Sequence, residues 1–575
     1  MSYLATYNLW KQHPALSRAE QAELSAIAED QAEIESRFFG LLTFGTAGLR
    51  GVMGAGLNRM NMHTISHATQ AFAEVILAEG ATAAAKGIAI CYDCRNFSAD
   101  FARRAACVMA GNGIPVRLFS GMRPTPELSF AVREYGCIAG LNVTASHNPK
   151  EYNGYKVYWS DGAQLPPQKA SAIAEKMQEL DVFDCVKLAD FDMAVSQGLI
   201  SLLGQETDDA FLSQVMAMAN DYDVVSKVSD RFTMVYTPFH GVGREQIPFV
   251  LEKLGVRHLH CVAEQMIPDG DFPTVLSPNP ENPDSFALAL ALAKQVEAHF
   301  ILGSDPDADR VGIWSLDKSG EYGLVSGNQT GVLLLDYLIG AKKRAGTLPA
   351  RPVALKTIVT TEMARAVSEA NGVSCCDTFT GFKFMAEKKQ ELEASGEGHV
   401  FFSYEESFGY MIGDFLRDKD AVTAALLLTE MTAYYFNQGM TLFDALDALY
   451  ERHGYYEERT LNLVMPGLSG MANMKALMKK LRDEPLREIA GIAVLTQKDY
   501  QSGEERNLLS GAITATDLVG SDVLKYRLAD GTDLVVRPSG TEPKIKVYIL
   551  AKGDDREDCH ARVAAYETWA MKALR

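Results

Sequence analysis

Between residues 87 and 403 one pattern recurs three times: a short apolar strand, a helix of ten or more residues, then another apolar strand. In the first round GIAICYD (87–93), IPVRLFS and CIAGLNVT read as strands, and TPELSFAVREYG as a helix. SADFARRAACVMAGNG reads as a second helix, with Ser98 at its N-cap and Gly111 or Gly113 near its end. The pattern restarts at FTMVYTPFHGVG (232–243) and runs through REQIPFVLEKLG, VRHLHCV and SFALALALAKQVEA to the strand HFILG (299–303). A third round begins near RPVALKTIV (351–359), includes the strand HVFFS (399–403) and closes with the helix AVTAALLLTEMTAYYF after Asp420. Strands this short and apolar must be covered on both faces, which predicts largely parallel sheets flanked by helices. From about residue 455 the pattern loosens into β-rich segments, TLNLVM and DLVVRPSGTEPKIKVYILA, before a C-terminal helix. The expected fold is therefore α/β, with three similar α/β domains of mixed, largely parallel sheets plus a smaller C-terminal α+β domain. Residues 1–39 read as charged amphipathic helix clasping the first domain. The expected domain boundaries are 40–205, 206–322, 323–453 and 454–575.

A chain of 575 residues with 47% apolar and 22% charged residues has material for several such cores. Its formal charge of −19 argues against nucleic acid and anionic membrane as partners. An anionic substrate would have to be bound by local cations, against the overall field. No apolar run approaches the ~18 residues that span a bilayer, and MSYLATYNLWKQHPALSRAE lacks the pattern of a secretory signal. The nine cysteines are odd in number and lack framework spacing. Cys91 and Cys94 are spaced as in metal or redox sites but fall in a strand-like run, so reduced thiols in a cytoplasmic protein are expected. Monomer and dimer both remain open.

Four loops at strand ends carry the chemistry, where open α/β sheets bind ligands. Residues 144–149 (TASHNP) put Ser146, beside His147, on a turn where a hydroxyl is exposed for attack and backbone amides can hold an anion; a plain Ser or Asx turn is the alternative. No Gly-x-Ser-x-Gly frame surrounds it, so a hydrolase elbow is not supported. In residues 303–310 (GSDPDADR) Asp305, Asp307 and Asp309 alternate, and carboxylates so close need a cation, with Mg²⁺ the favoured one. An EF-hand is excluded, because Arg310 stands at the sixth position and Leu316 at the twelfth. Residues 403–410 (SYEESFGY) offer Glu405 and Ser407 to sugar hydroxyls, with the start of a surface helix the alternative; residues 537–544 (RPSGTEPK) offer Arg537, Ser539, Gly540 and Thr541 to a phosphate, with a plain turn between strands the alternative.

With these four motifs in this order over residues 40–550, and FGTAGLRG at 44–51, the sequence resembles the α-D-phosphohexomutase family. The resemblance implies four domains around a central cleft. It implies that Ser146 carries phosphate, with His147 beside it. Asp305, Asp307 and Asp309 would bind Mg²⁺, the seryl phosphate of Ser146 completing the shell. Arg50 and Arg310 would contact phosphate or substrate near the metal, and Lys156 in NGYK would move a proton. Thr380 and Gly381 in TFTGFKF, Glu405, Ser407 and Lys419 in RDKD would contact the sugar, and residues 537–541 the phosphate. An ammonium near Mg²⁺ and Arg50 is expected to have a depressed pKa, suiting Lys156 to acid–base work. The better-known phosphoglucomutase branch carries a histidine between the sugar loop and the RxKD lysine. YMIGDFLRDKD has none and is one residue longer, which is more similar to the branch containing phosphoglucomutases and phosphopentomutases. The implied activity is interconversion of glucose 1-phosphate and glucose 6-phosphate through a bound bisphosphate. Mannose or pentose phosphates, glucose 1,6-bisphosphate synthesis and, in another class, metal-dependent phosphatase action are the alternatives.

Overall fold

The structure, a computed structural model, describes residues 2–45, 48–465, 470–539 and 544–574. The chain divides into two compact units, residues 1–325 with 408–439, and residues 326–407 with 440–575.

The first unit contains two sheets. In one the spatial order is Leu49–Val52, Tyr152–Trp159, Ala139–Val143, Ile88–Tyr92, Val116–Phe119 and Ile200–Leu203. The last four strands run parallel, and the first two are antiparallel additions at one edge. The parallel strands are almost wholly buried, as their apolar composition requires. The antiparallel edge brings Arg50 opposite Gly154 and Lys156 opposite Asn142, next to the loop that follows Val143. Close approach of backbones makes this possible. A Cβ on Gly154 would fall 2.3 Å from the Thr144 carbonyl oxygen, and one on Gly48, whose φ is +82°, would fall 1.8 Å from that of Tyr155. The second sheet has the order Tyr322–Val325, Val311–Leu316, Phe300–Ser304, Thr233–Thr237 and His258–Cys261. Its strand Phe300–Ser304 delivers the acidic loop, and Val311–Leu316 returns antiparallel beside it.

Residues 1–39 form three short helices, Tyr3–Gln12, Arg18–Ala26 and Gln31–Phe38, rather than one. They enclose a small core of their own around Tyr7, Trp10, Leu24, Ile34 and Phe38. Arg37 donates to the Ala55 carbonyl and Glu23 accepts from the Ala55 amide. The helix Ser98–Gly111 begins one residue earlier than a Ser98 cap would have it. Its N-cap is Phe97, in a left-handed conformation, because the Ser98 hydroxyl is used by the Asp93 carboxylate.

In the second unit the strands Ser374–Thr378, Pro352–Thr357 and His399–Glu405 pair in parallel. The C-terminal sheet is antiparallel, with Tyr455–Val464 on Lys544–Gly553 and then Asp533–Pro538, Leu524–Leu528 and Ile492–Asp499. The helix Arg556–Ala573 buries Cys559, Val563, Tyr566 and Ala570 in the same core as this sheet's inner residues. The architecture is three α/β domains with mixed, largely parallel sheets plus a C-terminal domain. Among the described residues no helix is long and apolar enough to cross a membrane, and all nine cysteines are free.

The helix Ala421–Asn437 packs in the first unit and is buried along almost its whole length. Asp420 caps it, accepting from the amides of Val422 and Thr423 at 2.8 and 3.1 Å. Burial pushes the Asp420 carboxyl up to about 6 from 3.8, against these hydrogen bonds. A carboxyl that holds its proton more tightly folded than unfolded makes stability fall as pH rises between those two values, and leaves it flat above them. Urea titrations of Asp420→Asn, whose amide can still cap, should lack this fall. The wild type should lose on the order of 2–3 kcal/mol more than the variant between pH 4 and 6.5.

Candidate active site

Each loop of the site grows from the end of a strand. After Val143 the chain turns through residues 144–149, with Ser146 at φ +51°, a left-handed conformation uncommon for serine. Thr144 Oγ1 donates to Asp93 Oδ2 at 2.6 Å and accepts from the Ser146 amide at 2.8 Å. This turns Ser146 toward the acidic loop. Its Oγ donates to Asp305 Oδ2 at 2.7 Å and lies 3.1 Å from His147 Nδ1. Burial and the neighbouring charges of Arg310 and Arg50 hold His147 well below its ordinary range, so its imidazole is neutral.

Asp305, Asp307 and Asp309 are fully buried, and one carboxylate oxygen from each lies within 4.8 Å of the others. The amides of Asp309 and Arg310 donate to Asp305 Oδ1 and close the turn. Lys156 Nζ donates to Asp307 at 2.6 Å and Asp309 at 3.2 Å, and Lys419 Nζ lies 3.2 Å from Asp309 and 3.1 Å from Asp418. Burial and its two acidic neighbours push Asp305 well above the carboxylate range. Burial also works to raise Asp307 and Asp309, but Lys156, joined at Asp309 by Lys419, holds both below it. Two anionic carboxylates thus face two ammoniums.

Lys156 departs from expectation. Burial acts to lower its pKa, but Asp307 and Asp309 outweigh burial and raise it. Arg310 Nη1 pairs with Glu281 at 2.6 Å, and its Nε lies 3.8 Å from Asp309. Arg50 is exposed and shares the electrostatic neighbourhood of Asp307, Asp309 and Arg310. The structure therefore brings together Ser146, His147, Lys156, the three aspartates, Arg310, Arg50 and Lys419, all in the first unit.

The remaining predicted residues lie in the second unit. Glu405 is buried at the end of His399–Glu405 and accepts from the amide of Gly381, which starts the helix Phe382–Ser395. Thr380, next to Gly381, and Ser407, two residues past Glu405, are half-buried. Arg537 hydrogen-bonds Tyr548 and shares that phenol's surroundings with Glu405 and Glu406. The Ser539 amide donates to Lys544 O at 2.9 Å. Gly540 and Thr541 lie outside the described residues.

Sequence reasoning missed several polar groups behind these loops. Asp418 accepts from Tyr158 Oη at 2.8 Å and Gln164 Nε2 at 3.1 Å, which fixes Lys419. Thr125 Oγ1 donates to Asp307 Oδ2 at 2.9 Å and accepts from Asn142 Nδ2 at 2.8 Å, while its amide donates to Asp307 O at 2.9 Å. The available signal was a polar Thr-Pro closing the loop after the strand Val116–Phe119.

The aspartate loop suits a hard divalent cation. Its donors are all oxygens, and among the described residues Asp307 Oδ1 and Asp309 Oδ1 are buried with no hydrogen-bond partner. Thr125→Val should keep the fold, since the side chain is nearly isosteric. It should weaken Mg²⁺ binding about 10- to 100-fold by calorimetric titration, because the group that orients a ligating carboxylate is gone. Unchanged affinity would show that Thr125 serves only the turn.

Comparison with known proteins places these features in a wider set. Residues 41–182, 209–318 and 326–453 match the alpha/beta/alpha domains I, II and III of phosphoglucomutase/phosphomannomutase, and residues 471–565 match its C-terminal domain. A phosphoglucomutase of Staphylococcus aureus (strain bovine RF122 / ET3-1) is 35% identical over 555 residues, covering 96% of this chain and 97% of that protein. In fold, the chain is similar to the open form of the exocytosis-sensitive phosphoprotein pp63/parafusin, a phosphoglucomutase from Paramecium. The TM-score is 0.66 at 18% identity, over 93% of this chain and 96% of that one. A phosphoglucomutase/phosphomannomutase family protein from Burkholderia thailandensis gives 0.65 at 18% identity, over 92% and 97%.

Proposed function

The chain belongs to the phosphoglucomutase/phosphomannomutase family, and from that membership we propose that it interconverts α-D-glucose 1-phosphate and glucose 6-phosphate. It is a mutase, an intramolecular phosphotransferase. The observation that carries the reading is the Ser146 hydroxyl, held on a left-handed turn 2.7 Å from a buried aspartate of the acidic loop.

In this reading Ser146 carries a phosphoryl group and gives it to the free hydroxyl of a sugar monophosphate. The resulting bisphosphate turns around, and its other phosphate returns to Ser146. Asp305, Asp307 and Asp309 hold Mg²⁺, which when bound neutralises charge on the phosphoryl group in transfer. Lys156 lies beside Asp307 and Asp309, in the same loop whose Asp305 accepts from Ser146, and moves the proton of the attacking or departing sugar hydroxyl. Neutral His147 accepts a hydrogen bond at the serine oxygen or donates one, according to its tautomer. Arg310, Arg50 and Lys419 supply the local positive charge that an anionic substrate needs on a chain of formal charge −19. Thr380, Gly381, Glu405 and Ser407 read sugar hydroxyls, and Arg537 with Ser539, Gly540 and Thr541 anchors the phosphate that is not reacting. A kcat/KM panel over glucose, mannose and ribose phosphates tests the substrate: the glucose phosphates should be the best of the three.

Peptide mapping after treatment with glucose 1,6-bisphosphate should place phosphate on Ser146, and Ser146→Ala should lose at least about a thousandfold in kcat. Phosphate on another residue, or near-normal turnover by the variant, would end the proposal.

Arg537→Ala should lower kcat/KM about ten- to a hundredfold, the worth of one charge-assisted arginine–phosphate contact. The loss should be equal, within a small factor, for the 1-phosphate and the 6-phosphate, since one anchor serves both. A loss confined to one direction would rule out a shared anchor.

A further inference from the structure

The turn that presents Ser146 is not held by its own residues. Arg95, on the loop after the strand Ile88–Tyr92, has a side chain with no exposure, and its guanidinium fans out over that turn. Nη2 donates to the carbonyls of Ser146 and Asn148, and Nη1 to those of Pro149 and Tyr152 at 3.0 and 3.1 Å. Nε faces Asp93 Oδ2 at 3.4 Å, and the ring of Phe272 lies 5.0 Å from the guanidinium carbon. Asp93 in turn accepts from Thr144 Oγ1, which receives the Ser146 amide. One Asp–Arg pair therefore grips the serine's peptide from both sides, its amide through Thr144 and its carbonyl directly.

We propose that Arg95, braced by Asp93, is a positioning residue that fixes the Ser146 oxygen in line for phosphoryl transfer. The inference rests on Ser146 carrying the phosphoryl group.

The physical reasons are specific. Four carbonyls converge on one side chain, and only the planar, five-donor fork of arginine serves so many acceptors at once; a lysine ammonium has three donors and no plane. The bond to the Ser146 carbonyl is the most expensive to lose, since that residue and the guanidinium are both buried. The turn also needs an external grip, because a serine at φ +51° relaxes unless its surroundings over-determine it. A neighbouring contact reinforces the same turn from the second α/β domain: Ser277 Oγ donates to His147 O at 3.4 Å. None of these groups takes part in the chemistry, so the effect is on geometry.

The test compares full-length wild type, Arg95→Lys and Thr144→Val, with circular dichroism and thermal unfolding as the check on folding. Misplacing a reacting atom by about 1 Å costs roughly a hundredfold in rate. Arg95→Lys should therefore lower kcat, and the single-turnover rate of phosphoryl transfer from glucose 1,6-bisphosphate, about a hundredfold. KM for glucose 1-phosphate should stay within about threefold. A folded Arg95→Lys with unchanged kcat, or with only KM raised, overturns the inference. Should Arg95→Lys fail to fold, Thr144→Val decides: it frees the amide side of the grip and should show the same split, and normal kcat in it counts against the proposal equally. Mapping wild-type phosphate to a residue other than Ser146 would sink the Ser146 reading and this inference with it. Phosphate on Ser146 together with an unaffected Arg95→Lys would sink the inference alone.

Discussion

Burying three carboxylates in one turn is the arrangement that the first unit is built to tolerate. A carboxylate taken out of water costs several kcal/mol unless it is paired or hydrogen-bonded. The acidic loop has only a few residues in which to find partners, so they come from elsewhere in the chain. The antiparallel strand Tyr152–Trp159 brings Lys156, the segment before helix Ala421–Asn437 brings Lys419, and helix Thr125–Glu134 begins with the hydroxyl that meets Asp307. The edge strand, the inserted helix and the loop register can each be understood as a way of delivering one charge or dipole to the same small volume.

This delivery also explains why the site works against the sign of the whole chain. The formal charge is −19, yet around Asp307 and Asp309 the near neighbours are Lys156, Lys419, Arg310 and Arg50. At a range of a few ångströms in a buried place, such neighbours outweigh distant surface charge that salt screens. The same closeness reverses the simple expectation for Lys156, whose acidic partners count for more than its burial.

The parts legible in the sequence were those written in contiguous residues. Alternating strand and helix patterns gave three α/β domains, and the acidic loop, the serine turn and the glutamate loop each occupy fewer than ten consecutive positions. Arg95, Thr125 and Asp418 were not legible. Arg95 reaches Ser146 51 positions away, Thr125 reaches Asp307 182 away and Asp418 reaches Tyr158 260 away, and the one local signal, the Thr-Pro at Thr125, is slight. Cys91 and Cys94 drew attention in YDCR while the informative pair was Asp93 and Arg95. Ser98 has the chemistry of an N-cap, yet a buried carboxylate nearby was the stronger acceptor for its hydroxyl.

The path of the chain between its two units has a consequence for synthesis. The first unit comprises residues 1–325 and 408–439, so its last helix, Ala421–Asn437, is translated only after 82 residues of the other unit. That helix packs against Gly243–Leu254 and Tyr222–Ser226, and Ala308 O accepts its first amide. Until the ribosome has passed residue 439, those helices keep an uncovered apolar face and the acidic loop lacks Lys419, one of its two lysine partners. The nascent first unit thus waits, incomplete, through a long stretch of elongation.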